Sequence, residues 1–481
     1  MISQVTQHLE KTFESHLEDL KKLVRIPSVS FPGFPESEVR RSAEAVAELL
    51  RKAGLQSVQL LEIPGAHPYV FGEWLKKPGA PTVLLYAHHD VQPPGREEVW
   101  KTQPFEPVLG PGPGGERLWG RGTADDKAGI VIHTSAISSF LQTVGELPVN
   151  VKVVIEGEEE VGSTHLSEFL RTYRARLDAD VLILTDTTNF DCGVPALTVA
   201  LRGMAGVGIE VRALTKTVHS GMWGGPVPDP VMALAKILAT LVDDEGRIAI
   251  KGMREMVRPL SAHEQASMSA LPYDEADFRA QSGMVPGAKI LQEGPSPIAQ
   301  IWRFPSLTIN AIQASSRKQA GNIINDAAWA KISIRLVADM DPKKTLQLLK
   351  DHIRAQLPWG LELHFESEGS TGAWMVKEMD SEGPAFQAAE AAMLAGYGKK
   401  PLKIGCGGSI PFVEPFAHAL GGAPALLIGV EDPYTNAHGE NESLLVSDFK
   451  KACLSQIHLF NEIAARVKPQ GATSGQKADS K

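Results

Sequence analysis

The sequence predicts an α/β main domain interrupted in mid-chain by a smaller α+β domain. Three observations predict it. Apolar runs such as Val83-Leu84-Leu85-Tyr86-Ala87, Val151-Lys152-Val153-Val154-Ile155 and Val181-Leu182-Ile183-Leu184 read as buried strands. The order strand, loop, helix, strand, helix, strand is that of an α/β layer architecture. Near Ala196 the pattern changes to alternation, and the α/β pattern resumes only after about residue 378. At 481 residues the chain is too long for one core.

The elements follow in order. Val5, Leu9, Phe13, Leu17, Leu20 and Leu23 recur at helical spacing, and a second helical stretch, Ser42 to Leu50, follows the break at Phe31-Pro32-Gly33. Strands are expected near 56–63, 68–74 and 81–87. The Pro- and Gly-rich stretch from Gln92 to Gly122, with Trp100, Phe105 and Trp119, reads as an ordered loop lining a cleft. Ala128 to Val144 reads as a helix. Leu197 to Ala213 alternates like antiparallel strands. Val231 to Val242 is helical, Ser306 to Ser315 and Ala328 to Leu336 are strand-like, and Pro342 to Leu357 contains another helix. Helix Gly383 to Ala395 and strand Pro424 to Gly429 return to the first pattern. The expected division is 1–196 plus 378–470 for the discontinuous main domain and 197–377 for the insertion. The Ala/Gly/Ser/Lys-rich tail, 471–481, is expected to be disordered.

Composition excludes several classes. Apolar content of 43% and charged content of 22% are ordinary for a globular protein. A net charge of -9 gives no support for nucleic-acid binding. No stretch reaches the roughly 18 apolar residues of a membrane span. Met1-Ile2-Ser3-Gln4-Val5 lacks the basic and apolar regions of a signal peptide. Cys192, Cys406 and Cys453 are scattered without CxxC spacing, which suggests a reducing compartment. A cytoplasmic location is the expectation.

The chemistry lies at the strand ends, where open α/β sheets bind ligands. His88 and Asp90 end the first run, Glu158-Glu159-Glu160 the second, and Asp186 the third, with Asp125-Asp126 between them. Each has a bland reading. A strand-end His is often a satisfied polar group, a Glu run is usually a solvated face, and Asp125-Asp126 could cap the helix beginning at Lys127. Together these readings are strained, because the residues recur at equivalent places. A two-zinc hydrolytic centre needs a bridging carboxylate, about two further ligands per ion, and one carboxylate left free to take a proton from water. The chain supplies His88, Asp125, Glu159, Glu160, Asp186 and His438.

Three stretches are recognisable: Ala87-His88-His89-Asp90-Val91-Gln92-Pro93, Gly120-Arg121-Gly122-Thr123-Ala124-Asp125-Asp126-Lys127, and Glu156-Gly157-Glu158-Glu159-Glu160-Val161-Gly162-Ser163. They closely resemble the zinc peptidase family of carnosinase, cytosolic nonspecific dipeptidase, glutamate carboxypeptidase and succinyl-diaminopimelate desuccinylase. The resemblance covers nearly the whole chain. Trp100, Pro104-Phe105-Glu106-Pro107 and Gly407-Gly408-Ser409-Ile410-Pro411 look most like the dipeptidase branch.

The resemblance implies a mixed-sheet zinc-peptidase catalytic domain with an inserted α+β dimerisation, or lid, domain. It implies two divalent ions per subunit, zinc first, with manganese and cobalt as alternatives. His88 and Asp186 would hold one ion, Glu160 and His438 the other, and Asp125 would bridge them. Glu159 would be the general base. Asp90 would hold the His88 ring in its binding tautomer, and the Asp125–Asp126 bond is expected to be cis. In the insertion, His219 of Val218-His219-Ser220-Gly221 would reach a partner subunit's site and stabilise an oxyanion, although alone it reads as a turn residue. Arg335 would bind the substrate carboxylate with its planar fork, helped by Gly408 and Ser409. His89 stands where the family often has Tyr and reads as a spectator. The implied activity is dipeptide hydrolysis by a homodimer, with N-acyl-amino-acid deacylation or exo-carboxypeptidase activity as the alternative.

Overall fold

The computed structural model describes residues 2–291, 294–377, 379–408 and 413–469. Ser409 and the 471–481 tail therefore lie outside the described residues. The chain divides into two compact units, one of Met1–Val199 with Val376–Ile404 and the stretch from 411 onward, the other of Ala200–Met375 with 405–410. The Gly407-Gly408 loop thus clusters with the second unit, whereas the sequence reading placed it with the first.

The first unit is built on a mixed sheet. Strand Thr82–His88 runs parallel to Asn150–Glu156 on one side and to Val181–Leu184 on the other. Ala425–Leu427 pairs in parallel with Val181–Leu184. These strands are buried on both faces, which is why they read as unbroken apolar runs. Tyr69–Trp74 and Gln56–Leu61 extend the sheet antiparallel at one side, so the sheet is mixed. Because the four central strands are parallel, their carboxyl ends share one edge. His88, the Glu158–Glu160 turn, Asp186 and the chain after Leu427 all emerge there.

Helix Ile2–Val24 contributes Val5, Leu9, Phe13, Leu17 and Leu20 to the same core as Val83, Leu85, Val151 and Val153. Helix Glu36–Ala53 joins through Val46 and Leu50. Helix Lys127–Thr143 is buried almost all round and shows no polar face to water. Lys127 is buried too, and its Nζ donates to the carbonyls of Leu23 (2.9 Å) and Ile26 (2.8 Å), fixing the end of the first helix. Helices Pro384–Tyr397 and Val446–Arg466 complete the packing. The segment expected to be a loop contains a hairpin, Val108–Gly112 with Gly115–Trp119, to which Ser443–Leu445 adds a third strand. Pro111 and four glycines conceal it in the sequence.

The second unit carries a four-stranded antiparallel sheet in the order Ser306–Gln313, Ala327–Leu336, Gly203–Arg212, Glu362–Thr371. Its alternation is plain: Ala205, Val207, Ile209 and Val211 are buried, as are Ala330, Ile332, Ile334 and Leu336. They pack with residues of helices Pro230–Ala239 and Pro342–Ala355. Both helices begin with an Asp that accepts a backbone N–H, followed by Pro.

Candidate metal centre

Strand pairing positions the first ligands. Alternation along Thr82–His88 and into His89 sends neighbouring side chains to opposite faces. His89 is buried away from the centre, and its Nε2 lies 3.0 Å from the Pro68 carbonyl. Burial drives its pKa down to about 4. Its neighbour His88 is also fully buried, but its Nε2 lies 3.0 Å from Asp125 Oδ1 and 3.7 Å from Asp186 Oδ1.

Asp125 is the pivot. Its second oxygen, Oδ2, lies 3.1 Å from His438 Nε2, and that nitrogen is 3.2 Å from Glu160 Oε2. One carboxylate therefore faces two imidazoles, and each imidazole has a further carboxylate beside it. The Asp125–Asp126 peptide bond is cis. Asp126 occupies the N-cap position of helix Lys127–Thr143 without making a cap hydrogen bond. Instead its Oδ2 accepts from the His88 backbone N–H at 3.3 Å.

Asp90 ties the two sides together. The His88 Nδ1 lies 3.1 Å from the Asp90 carbonyl oxygen and 3.4 Å from its carboxylate. That carboxylate accepts from Ser30 Oγ (2.7 Å) and from the backbone N–H groups of Glu159 (3.3 Å) and Glu160 (3.0 Å). So Asp90 meets His88 mainly through its main chain, and its side chain fixes the short 3₁₀ turn Glu159–Val161. Gln92 holds Glu160 from the other side, through its backbone N–H (3.0 Å) and Nε2 (2.6 Å).

The donor set fits divalent cations. Three groups of converging ligand atoms occur among the described residues: His88, Asp126 and Asp186; Asp125, Glu160 and His438; and Asp125, Asp186 and Glu431. His88 Nε2 and Asp126 Oδ1 are buried without a well-aligned hydrogen bond. Burial first, and mutual repulsion with neighbouring carboxylates second, raise the carboxyl pKa values of Glu159, Asp186 and Glu431, and bring Glu160 to about 7. The His438 ring is drawn up to about 11 by Asp125 and Glu160. Burial opposes protonation of His88, but Asp125, Asp186 and Asp90 overcome it and raise its pKa. A cluster that draws protons onto both imidazoles has the charge to hold cations there, and nitrogen and oxygen donors of this kind suit zinc.

The structure thus gathers His88, Asp90, Asp125, Glu159, Glu160, Asp186 and His438 within the first unit. The second unit holds the rest. His219 is exposed at the end of a short strand, and its Nδ1 accepts from the Gly221 N–H at 3.0 Å. Arg335 lies on strand Ala327–Leu336, in register with Ser306 and Met204. Gly408 is in the adjoining loop, where its carbonyl accepts from the Arg202 N–H at 3.1 Å. Two acidic residues escaped the sequence reading. From sequence Asp126 reads only as a helix cap. Glu431 follows the apolar run Pro424–Val430, the same signal that marked Asp186, but the strand reading stopped at Gly429.

Comparison with known proteins agrees with this architecture. The family model described as "Peptidase family M20/M25/M40" matches residues 84–461. The chain is 32% identical over 380 residues to a cysteinylglycine-S-conjugate dipeptidase of Corynebacterium striatum, covering 78% of this chain and 80% of that one. It is 30% identical to the Cys-Gly metallodipeptidase DUG1 of Saccharomyces cerevisiae, covering 93% and 95%. Among solved structures, it matches the yeast di-peptidase Dug1p with a TM-score of 0.85 at 27% identity, covering 97% and 99%. Human carnosine dipeptidase 1 gives 0.84 at 26% identity, covering 96% and 99%. The metallo-carboxypeptidase Sso-CP2 of Sulfolobus solfataricus gives 0.79 at 27% identity, covering 94% and 99%.

Proposed function

The chain belongs to peptidase family M20/M25/M40, and from this we propose that it is a metal-dependent dipeptidase. It would hydrolyse the amide bond of dipeptides or short peptides that carry a free C-terminal carboxylate. The observation that carries the reading is Asp125, whose two oxygens face His88 and His438 at 3.0 and 3.1 Å. His88 with Asp186 would hold one divalent ion, Glu160 with His438 the other, and Asp125 would serve both. Zinc is the first candidate, with manganese and cobalt suited to the same donors. When bound, such a pair supplies Lewis acidity at the scissile carbonyl and makes a shared water more acidic.

The remaining roles belong to the chain itself. Glu159 takes the proton of the attacking water and later returns it to the leaving amine. Its carboxylate belongs to none of the converging ligand groups, although it adjoins Glu160 in the turn that Asp90 holds. Asp90 orients His88. Arg335 grips the substrate carboxylate with its planar fork, and Gly408 and Ser409 would add hydrogen bonds to it. His219 of one chain stabilises the oxyanion in a partner's site, which makes the working form a homodimer. The names of the yeast and human relatives support the dipeptidase branch. No helix among the described residues is long and apolar enough to cross a membrane. Three cysteines scattered without CxxC spacing suit a reducing, cytoplasmic setting.

The alternative is an exo-carboxypeptidase or an N-acyl-amino-acid deacylase, and the similarity to Sso-CP2 favours the former. The metal centre acts on the amide bond that all three share, so the amine side of the substrate separates them. A hydrolysis screen over dipeptides, tripeptides and N-acyl amino acids decides. Fastest turnover on dipeptides supports the reading. Fastest turnover on acylated or longer substrates, with dipeptides inert, replaces it.

A further inference from the structure

We infer that Glu442 and Arg121 form a buried positioning pair that holds the Asp125 turn in line with the loop carrying His438. Neither residue is a ligand in the reading above, on which this inference rests. The Glu442 and Arg121 side chains are 0% and 1% exposed and meet at 2.8 Å. Glu442 Oε1 accepts from the backbone N–H groups of Ala124 (3.1 Å) and Asp125 (3.3 Å), and Oε2 from that of Gly122 (3.0 Å). One carboxylate thereby collects three backbone donors from the stretch that presents Asp125. The other arm of the Arg121 fork, Nη2, donates to the carbonyl of Gly439 (3.0 Å), the residue after His438, and to that of Pro93 (3.1 Å), the residue after Gln92. Gln92 in turn holds Glu160.

The two halves of the centre therefore have different supports. His88 and Asp186 ride at or just beyond the ends of paired parallel strands. His438 sits in a loop with left-handed backbone at Asn436, His438 and Asn441, with φ of 56°, 63° and 63°. Such a loop has no sheet ladder to fix it. The Arg121–Glu442 pair stitches it to the Asp125 turn and to the loop that grips Glu160. Removing one partner of a buried pair leaves an uncompensated charge, and here that disturbance falls on the Asp125 backbone and the His438 loop. Outer supports of metal ligands typically contribute about 10- to 100-fold to metal affinity. The loss is expected to be uneven: both ions share Asp125 and weaken, but the ion held by Glu160 and His438 also loses its loop support and weakens at least about tenfold more.

The test is a zinc titration against a competing chelator on the full-length protein, with circular dichroism to verify folding. Glu442→Gln keeps the shape and removes the charge. Arg121→Lys keeps the charge and removes the fork that reaches Gly439 and Pro93. Both variants are expected to bind two ions unequally, the second weakened about tenfold or more beyond the first. Should Glu442→Gln fail to fold, Arg121→Lys alone decides. A wild-type chain that binds fewer than two ions overturns the metal-centre reading itself. A wild-type chain that binds two, with folded variants weakened equally at both or at neither, overturns the positioning role while leaving that reading intact.

Discussion

In the first unit, His88, Asp125, Glu160, Asp186 and His438 come from widely separated stretches, yet their ligand atoms converge around one carboxylate. In the second unit, His219 and Arg335 lie on strands of different sheets, and His219 is exposed with a local turn contact. The difference separates two kinds of functional residue. Most of the proposed metal ligands are held by the sheet edge and by buried hydrogen bonds, with His438 on a loop beside them. His219 and Arg335, the groups proposed to meet a substrate or a partner, are placed by separate strands and do not converge on one another. We therefore expect the metal chemistry to survive intact within one chain and the substrate handling to depend on what is added to it.

The largest expected effect falls in the first unit. Glu159→Gln keeps the size and removes the proton acceptor, so turnover should fall by roughly 10²–10⁴ while two metal ions stay bound. Loss of metal in this variant, measured by atomic absorption, would instead make Glu159 a ligand and exchange its role with that of Glu160.

A smaller effect is expected from the second unit. Arg335→Lys keeps the charge and loses the fork, and a hydrogen bond to a charged group contributes about 1.5–3 kcal/mol. The kcat/KM on dipeptides should drop by roughly 10- to 100-fold, and the preference for free over C-terminally amidated dipeptides should largely vanish. Equal wild-type rates on free and amidated dipeptides would remove the carboxylate grip altogether.

Subunit exchange sharpens the same comparison. If His219 acts across a dimer, a Glu159→Gln chain paired with a His219→Ala chain has one site with both lesions and one with neither. Each variant homodimer should be nearly inactive, and reassembled mixtures should recover toward half of the wild-type rate per heterodimer. No recovery after verified exchange would confine His219 to its own chain.

The smallest effect on rate is expected at His89, the buried neighbour of His88. His89→Phe retains a ring against Gly157 and loses the contact to the Pro68 carbonyl. Stability should fall by about 1–3 kcal/mol, with kcat/KM within about twofold of wild type, since this residue faces away from the centre. A rate loss as large as that of Glu159→Gln would show that His89 is no spectator.

How much of this was legible in the chain follows from where each residue sits. His88, Glu160 and Asp186 were readable because each ends or follows an apolar run, and parallel strands bring such ends together. Glu431 carries the same signal, at the end of the apolar run Pro424–Val430. His438 was accessible only through resemblance, because it sits in an irregular loop that no periodicity marks. The hairpin Val108–Trp119 was hidden by Pro and Gly, which argue against strands locally, while its third strand comes from Ser443–Leu445, far along the chain. Arg121 and Glu442 were unreadable for the same reason: their partnership is made by folding, across 321 positions.

If one carboxylate, Asp125, serves two metal ions, metal stoichiometry reads it out. Wild-type protein, His88→Ala and Asp125→Ala would be loaded with zinc, desalted and analysed for metal per chain. Two ions are expected in the wild type, loss mainly of one in His88→Ala, and loss at both positions in Asp125→Ala. Full occupancy in Asp125→Ala would contradict it.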